Sequence, residues 1–501
     1  MPVTSKHPDF VKREKDYALI DDCIEGQRKI KKEGEAYLPR PNPEDDSDEN
    51  AARYAAYKKR AVFHGVTGRT VNNMVGQCFS VEPVPTMPDS MLPWLEDIDG
   101  SGVSATQQAK RALGYVVSKS RAFLWVDYPK TAAPVSQADA EAGAIRPRVI
   151  LCHPSEVINW RVMQEGAKVK LSLVVIRESY IANDDGFEAT FLEQYRVLRL
   201  KGGTYFVEVH RTGDNGNVSI ESVQPLDGKG QPFMEIPATF IGAESNDANV
   251  EKPLMLDIAN LNIAHYRNSA DYEEAVYMLG QPTPYLAGLS DGWIDKHMGG
   301  GIYLGSRECI ALPQGATAGM LQASPNTLPK EAMDQKEALM QALGAKLVEK
   351  SEVAKTATES GINEASETSI LASCCSNVSA AYGLALRWAA QFGNIETTEP
   401  DKDILFELNT DFAISRMTPD EVNATLSAYN GGLITFEEAR DKLKNGGMAY
   451  LSDEDAKDQL QEQADADFQK AQQELKSQTD EAMRLQQSKT PVDPNNQAPT
   501  A

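Results

Sequence analysis

The chain has 501 residues, with 73 acidic against 50 basic side chains and a formal charge of −23. That balance excludes a nucleic-acid binder of the ordinary basic-patch kind, and the length provides for about two to four domains with true cores. Hydrophobic residues at 41% and charged residues at 25% lie near the globular average, which excludes wholesale disorder outside the ends.

Six cysteines, Cys23, Cys78, Cys152, Cys309, Cys374 and Cys375, lack Cys-x-x-Cys spacing, and Met1 is followed by polar, charged sequence. The expectation is synthesis in a reducing cytoplasm without secretion. The most apolar window, Val378 to Phe392, is interrupted by Arg387, whereas a membrane span needs about 20 largely apolar residues. No membrane span is expected.

Residues 1–50 read as a polar arm, with prolines at 39, 41 and 43 and an acidic cluster from Glu44 to Glu49. Helical spacing follows at Tyr54, Tyr57 and Ala61, and again from Arg69 to Gly76. Ser104 caps a helix predicted to run to about Lys119, after which the period changes and Arg121 to Asp127 reads as a strand. Further β-rich runs are Val149–Cys152, Leu171–Arg177, Gln194–Leu200, Thr204–Arg211 and Phe233–Phe240, separated by turns such as Asn183-Asp184-Asp185-Gly186.

From Val250 the pattern turns helical: Leu254, Ile258, Leu261 and His265 take steps of three and four, continuing to about Met278. A helix of about 25 residues spans about 40 Å. Gln281-Pro282-Thr283-Pro284 stops it. A β-rich insert with glycines 299–301 and an Ile302-Tyr303-Leu304 strand leads to a second long helix from about Thr327 to Lys350, in which Gly344 is a poor helix former. Ser351 to Glu367 is small and polar and reads as a loop; Thr368 to Phe392 is a long Ala/Ser-rich helix, and Ile404 to Leu408 a strand. Thr418-Pro419-Asp420-Glu421 and Thr435-Phe436-Glu437-Glu438 are helix starts, with Gly431-Gly432 and Gly446-Gly447 as stops. A Gln-, Asp- and Lys-rich tail ends the chain, with disorder expected after about Gln487.

No chemical motif emerges. Gly228-Lys229-Gly230 lacks the spacing and hydroxyl of a phosphate loop, and Gly299 to Gly305 misses the dinucleotide spacing. Asp97-Ile98-Asp99-Gly100-Ser101-Gly102 has Gln108 where a calcium loop needs a bidentate Glu, so it reads as an acidic turn. The six histidines show no zinc spacing, no G-x-S-x-G is present, and Cys374-Cys375 reads as core packing. Asp257 and the group Asp271, Glu273 and Glu274 read as solvated or interface faces of a long helix. Neither catalytic residues, nor a metal, nor a cofactor is expected.

Three stretches share their wording with a known architecture. They are Pro232 to Phe240 (P-F-M-E-I-P-A-T-F), Pro253 to Tyr266 (P-L-M-L-D-I-A-N-L-N-I-A-H-Y) with Ser269-Ala270-Asp271-Tyr272, and Tyr57 to Phe79. In this order, with these element lengths, the chain resembles the portal proteins of tailed bacteriophages over about residues 50–450. The resemblance implies an α+β portal fold with wing, long-helix stem, β-rich clip, tunnel loop and helical crown. It places an N-terminal arm at 1–50, the wing at 51–250, a stem helix at 251–279, the clip at 280–325 and a second stem helix at 326–350. The tunnel loop falls at 351–368, a long helix and strand returning to the wing at 369–414, the crown at 415–456 and an acidic tail at 457–501.

What the resemblance further implies is a homo-oligomeric ring, dodecameric in that family, at one capsid vertex. Double-stranded DNA enters and leaves through it, terminase docks on the clip, and head-tail adaptor proteins bind afterwards. Major capsid and scaffold protein are further partners, and the protein would reside in the virion after assembly in the host cytoplasm. A mostly negative channel wall would keep contacts with phosphates weak and let the duplex slide. Lys346, Lys350 and Lys355 would supply transient contacts, and Glu359, Ser360, Asn363 and Glu364 would line the tunnel loop, against the plainer readings of solubilising lysines and an ordinary linker. Ile302, Tyr303 and Leu304 would make clip contacts between subunits or with terminase by strand addition. Two competing readings are a hydrolase with an unrecognised active site and a helical scaffold that forms no ring.

Overall fold

The computed structural model describes residues 2–128, 146–212, 218–279, 283–297, 312–321, 327–347, 369–395, 397, 399–410, 412 and 419–445, together with 456, 457, 459 and 461. The chain divides into two compact units, Met1–Phe412 and Ala413–Ala501. The first is a mixture of helices and antiparallel sheets.

The expected arm begins with helices: α1 (Pro8–Glu25) and α2 (Gln27–Glu33), broken at Gly26, whose φ of 95° suits glycine. Phe10, Tyr17, Ile20 and Cys23 recur at helical spacing and are buried in the main core. One apolar residue per turn among charges is a thin stripe, so polarity hid the helix from the sequence reading. The His7 ring accepts from the Asp9 N–H at 3.2 Å and stacks on Trp160 with ring centroids 4.0 Å apart.

Next come α3 (Asp48–Arg60), capped by Ser47, and α4 (Val66–Cys78). A short strand β1 (Val84–Thr86) precedes α5 (Ala105–Lys119), which starts in a capping box of Ser104 and Gln107. Asp97 before it takes the N–H groups of Gly100 and Gly102 on one oxygen and Arg146 on the other, as an acidic turn does.

Strand β2 (Arg121–Asp127) is central to a three-stranded antiparallel sheet, between β3 (Arg148–Cys152) and β9 (Ala238–Gly242). Its unbroken apolar run, rather than an alternating one, follows from burial on both faces. Between β3 and β9 the chain forms an antiparallel meander: β4 (Val157–Glu165), β5 (Lys168–Asp184), β6 (Ala189–Lys201), β7 (Thr204–Thr212) and β8 (Val218–Val223). The run expected from Phe233 pairs as a strand only from Ala238, because Pro237 cannot donate to a ladder; Phe233 and Ile236 are buried nonetheless.

Helix α6 (Leu256–Leu279) leaves the sheet, and strand β10 (Thr283–Ala287), helix α7 (Asp291–His297) and strand β11 (Thr317–Leu321) lead to α8 (Leu328–Lys346). Helix α9 (Ile370–Phe392), whose Ala, Ser and Cys residues allow close approach, packs on β2, β9 and α5. Tyr382 donates to Gln108 Oε1 at 3.1 Å, and Gln108 in turn donates to the Val149 carbonyl at 2.9 Å, tying α9 through α5 to β3. After α10 (Pro400–Asp403), β12 (Leu405–Glu407) pairs with β1.

In the second unit α11 (Pro419–Asn430) and α12 (Phe436–Asn445) are joined through Gly431-Gly432, with Gly432 at φ 70°. Thr435 and Glu438 form the expected capping box: the Glu438 N–H donates to Thr435 Oγ1 at 3.2 Å, and the Thr435 N–H to Glu438 Oε2 at 2.7 Å.

Candidate functional site

The longest helix of the first unit, α6, is fixed at its base. Ser120 ends α5 in the left-handed region at φ 54°, which turns its hydroxyl towards the crossing chain. Its Oγ donates to the Lys252 carbonyl at 2.9 Å and accepts from the Leu254 N–H at 3.1 Å. Arg121 donates to the Asn249 carbonyl at 2.7 Å, with its guanidinium 3.8 Å from the Phe240 ring centroid and 4.4 Å from that of Trp160. Burial brings its pKa down to about 10, still far above neutrality, so the cation persists between aromatic faces. Glu251 accepts from the N–H groups of Ala243, Glu244 and Ser245, and Asn377 of α9 donates to the Gly242 and Ala243 carbonyls.

Along its length α6 carries polar side chains, Asn262, Ser269, Asp271 and Glu274, that meet residues 57–67. Buried Asn262 accepts from the Thr67 hydroxyl at 3.0 Å and its N–H at 3.3 Å, and donates to the His64 carbonyl at 2.7 Å. Ser269 accepts from the Val62 N–H and donates to the Val62 carbonyl, at 2.8 and 2.7 Å. Tyr57 donates to Asp271 at 2.7 Å; Arg60 pairs with Glu274 and lies over the Tyr277 ring at 4.3 Å. Thus Asp271 and Glu274, expected as a solvated or interface face, bind the helix to its own unit.

Helix α8 returns alongside. Lys336 donates to Asn268 at 2.7 Å and Met340 is buried, while the helix runs through Gly344, where a Cβ would lie 3.4 Å from Thr70 Cγ2. Buried His265 sits between these elements, its ring centroid 5.2 Å from that of His64 and its Nδ1 without a hydrogen bond. Burial, then the neighbouring His64, holds its pKa below the ordinary 6.5.

Beyond the far ends of α6 and α8, β10 pairs antiparallel with β11, Thr283 opposite Leu321 and Ala287 opposite Thr317. The Tyr285 ring crosses Gly319, where a Cβ would come within 2.7 Å of it. Tyr277, Met278, Tyr285, Ile294, Met320 and Leu328 are all exposed here. At the other end of the pair, the Leu371 N–H donates to the Leu347 carbonyl at 3.2 Å, so the chain departs after α8 and returns before α9 at one point.

Of the site residues expected from sequence, Lys346 stands exposed in the last turn of α8. Lys350, Lys355, Glu359, Ser360, Asn363 and Glu364 lie outside the described residues, as do Ile302, Tyr303 and Leu304. The hairpin strands that are described, β10 and β11, were not expected: both are five residues long and the first contains Pro284. The α6 ladder was missed because Asn, Ser and Asp at core spacing read as polar.

A family model described as a domain of unknown function, DUF4055, matches residues 253–393, from the base of α6 to the end of α9. No curated protein matches the chain. Among solved structures, the chain is similar to a chain in the "neck of native GTA particle computed with C12 symmetry", at 12% identity and a TM-score of 0.36, covering 75% of this chain and 89% of that one. It is also similar to one in the "neck of empty GTA particle computed with C6 symmetry", at 12% identity and a TM-score of 0.36, covering 79% and 93%.

Two cavities of the first unit are lined by charged side chains that already have partners among the described residues. One cavity, about 580 Å³, has Glu235 accepting from Trp388 Nε1 at 2.8 Å. A second, about 450 Å³, contains Arg148, Arg196 and Arg211, which are held by Asp127, Glu178 and Gln194. Among the described residues no three His, Cys, Asp or Glu side chains gather as a metal site, and no helix is long and apolar enough to cross a membrane. Burial pushes the Cys23 and Cys374 thiols up to about 12, which suits packing rather than nucleophilic attack.

Proposed function

We propose that this chain is the subunit of a portal-type ring at one vertex of a phage-like capsid, through which double-stranded DNA is packaged and ejected. The observation that carries the reading is an ordered architecture. A sheet-bearing body feeds a long helix strapped at its base, then a hairpin insert, then a returning helix whose last turn is joined to the start of α9 by the Leu371 N–H to Leu347 carbonyl bond. Added to this is the sequence resemblance over 232–266. In this reading α6 and α8 are the stem, residues 280–325 the clip and residues 351–368 the tunnel loop. The second unit, from Ala413, contains the crown.

The functional parts follow from that assignment. A clip whose hairpin strands β10 and β11 pair only with each other among the described residues, with exposed tyrosine and methionine, suits strand addition between subunits and docking of terminase and adaptor proteins. A net charge of −23 suits a wall along which phosphates slide without being gripped. Such a ring positions DNA and partners and needs no catalytic residues of its own.

The test is the solution mass of the purified chain, with negative-stain images of the same fraction and of particles assembled with the capsid protein. Large rings with a central hole are expected in at least one of the two. A monomer or dimer in both, across protein and salt concentration, overturns the reading.

A further inference from the structure

We infer that neighbouring copies of this chain meet head to tail through α3 and its flanks, the acidic loop of residues 44–49 in one copy seating on a cationic cluster of α2 and α3 in the next. The inference rests on the ring reading and names the contact that sets its register.

The cationic cluster is anomalous for so acidic a chain. Residues 27–40 and 53–60 hold nine basic side chains and two acidic ones. Three of the nine are engaged at home: Lys29 with Asp22 and Glu33, Arg40 with Glu35 and Asp46, and Arg60 with Glu274. Arg28, Lys31, Lys32, Lys58 and Lys59 pair with no carboxylate among the described residues, and the fold concentrates them. Lys31 Nζ donates to the Lys59 carbonyl at 2.9 Å, Arg28 and Lys32 share a helix face, and the Lys58 ammonium lies 5.6 Å from the Tyr54 ring centroid, beside Gly34. Last-turn cations complement a helix end, but here two helix ends converge, and like charges so gathered repel unless an anion is brought to them.

The complementary surface lies at the other end of the same helix, about 20 Å away for 13 residues. Residues 44–49 hold five acidic side chains and no basic one. Glu44, Asp48 and Glu49 are exposed and pair with no cation among the described residues. The loop is already set for docking: Asn50 donates to the Asn42 and Asp45 carbonyls at 2.9 and 2.6 Å, and Ser47 Oγ accepts from the Asn50 N–H at 3.2 Å. Little ordering entropy is then lost on contact.

Apart from Arg40 with Asp46, the charges at the two ends of the helix do not pair within one copy, whereas a head-to-tail ring pairs them in every copy. Such pairing contributes register and encounter rate more than affinity. Duplex DNA is the poorer occupant of the cationic cluster, because the acidic loop and the net charge of −23 repel it.

Two four-fold charge reversals test this on the full chain: K31E/K32E/K58E/K59E, and E44K/D46K/D48K/E49K. Each alone is expected to lower the assembled fraction about tenfold at low salt, and an equal mixture, in which the two alternate around the ring, to restore it. Cross-linking of mixed isotope-labelled and unlabelled wild-type chains is expected to join residues 44–49 of one copy to 28–32 or 58–59 of another, which decides the matter even if a variant fails to fold. Either variant assembling alone as wild type does, a mixture of folded variants that does not recover, or links only within one copy overturns the inference and leaves the ring standing. Wild type that never assembles overturns both. A shift of duplex DNA by the wild type that K31E/K32E/K58E/K59E abolishes assigns the cluster to phosphate and overturns it too.

Discussion

At the scale of single residues, the core is specified by polar atoms as much as by apolar ones. Trp125 Nε1 donates to the hydroxyl of buried Tyr205 at 2.8 Å. Tyr205→Phe keeps the shape and strands the indole donor, so a loss of about 1–3 kcal/mol is expected, visible as a lower urea midpoint at unchanged m-value. His265 makes a pH-dependent contribution. Because its folded pKa lies below 6.5, the unfolded chain takes up the proton first, and stability that is complete above about pH 6.5 falls as pH drops below it. His7, lowered mainly by its burial, adds the same sign. His265→Gln should therefore flatten the loss of stability between about pH 7 and pH 5 in urea titrations; equal slopes in both proteins contradict this. Neither role was visible beforehand, since a histidine in a string says nothing of what lies 5.2 Å from its ring.

At the scale of elements, legibility followed how strongly each segment's pattern departs from its neighbours'. Strand β2 and helix α5 were read correctly because Ser104 and Gln107 mark the helix start and the apolar period changes at Arg121. Strands β4 and β8 escaped: residues 161–165 of β4 are all exposed, and β8 is six residues long. Where the sequence reading placed a weak point at Gly344, helix α8 passes through that glycine and ends two residues later at Lys346, short of the expected Lys350. Helix α6 gives the sharpest element-level test. Asn262→Ala removes three hydrogen bonds and leaves the buried Thr67 N–H and hydroxyl without their acceptor, while the His64 carbonyl keeps the Val66 N–H, so a destabilisation of about 1–3 kcal/mol is expected. Hydrogen exchange should rise first in α6 and α4, and protection lost evenly over the unit would contradict the zipper.

At the scale of the whole molecule, the exposed apolar end of the α6/α8 pair separates folding from assembly. Met320→Ser with Leu328→Ser changes side chains that are mostly solvent-facing, so thermal stability of the isolated chain should shift little. Ring formation, or binding of a docking protein to the ring, should fall sharply; unaltered particle assembly would remove the hairpin from any interface role. The sequence resemblance placed its contact residues at 302–304, outside the described residues, rather than on the strands that flank them.

The bond between the Leu371 N–H and the Leu347 carbonyl ties together the two ends of the connection between α8 and α9. A segment whose two ends share one anchor has no distance to bridge, so its length is uncoupled from the geometry of the helices beside it. Doubling such a segment costs only about 0.6 kcal/mol of closure entropy. Lengthening or shortening the connection between Leu347 and Leu371 is thus expected to carry a small thermodynamic penalty and to leave α8 and α9 where they are.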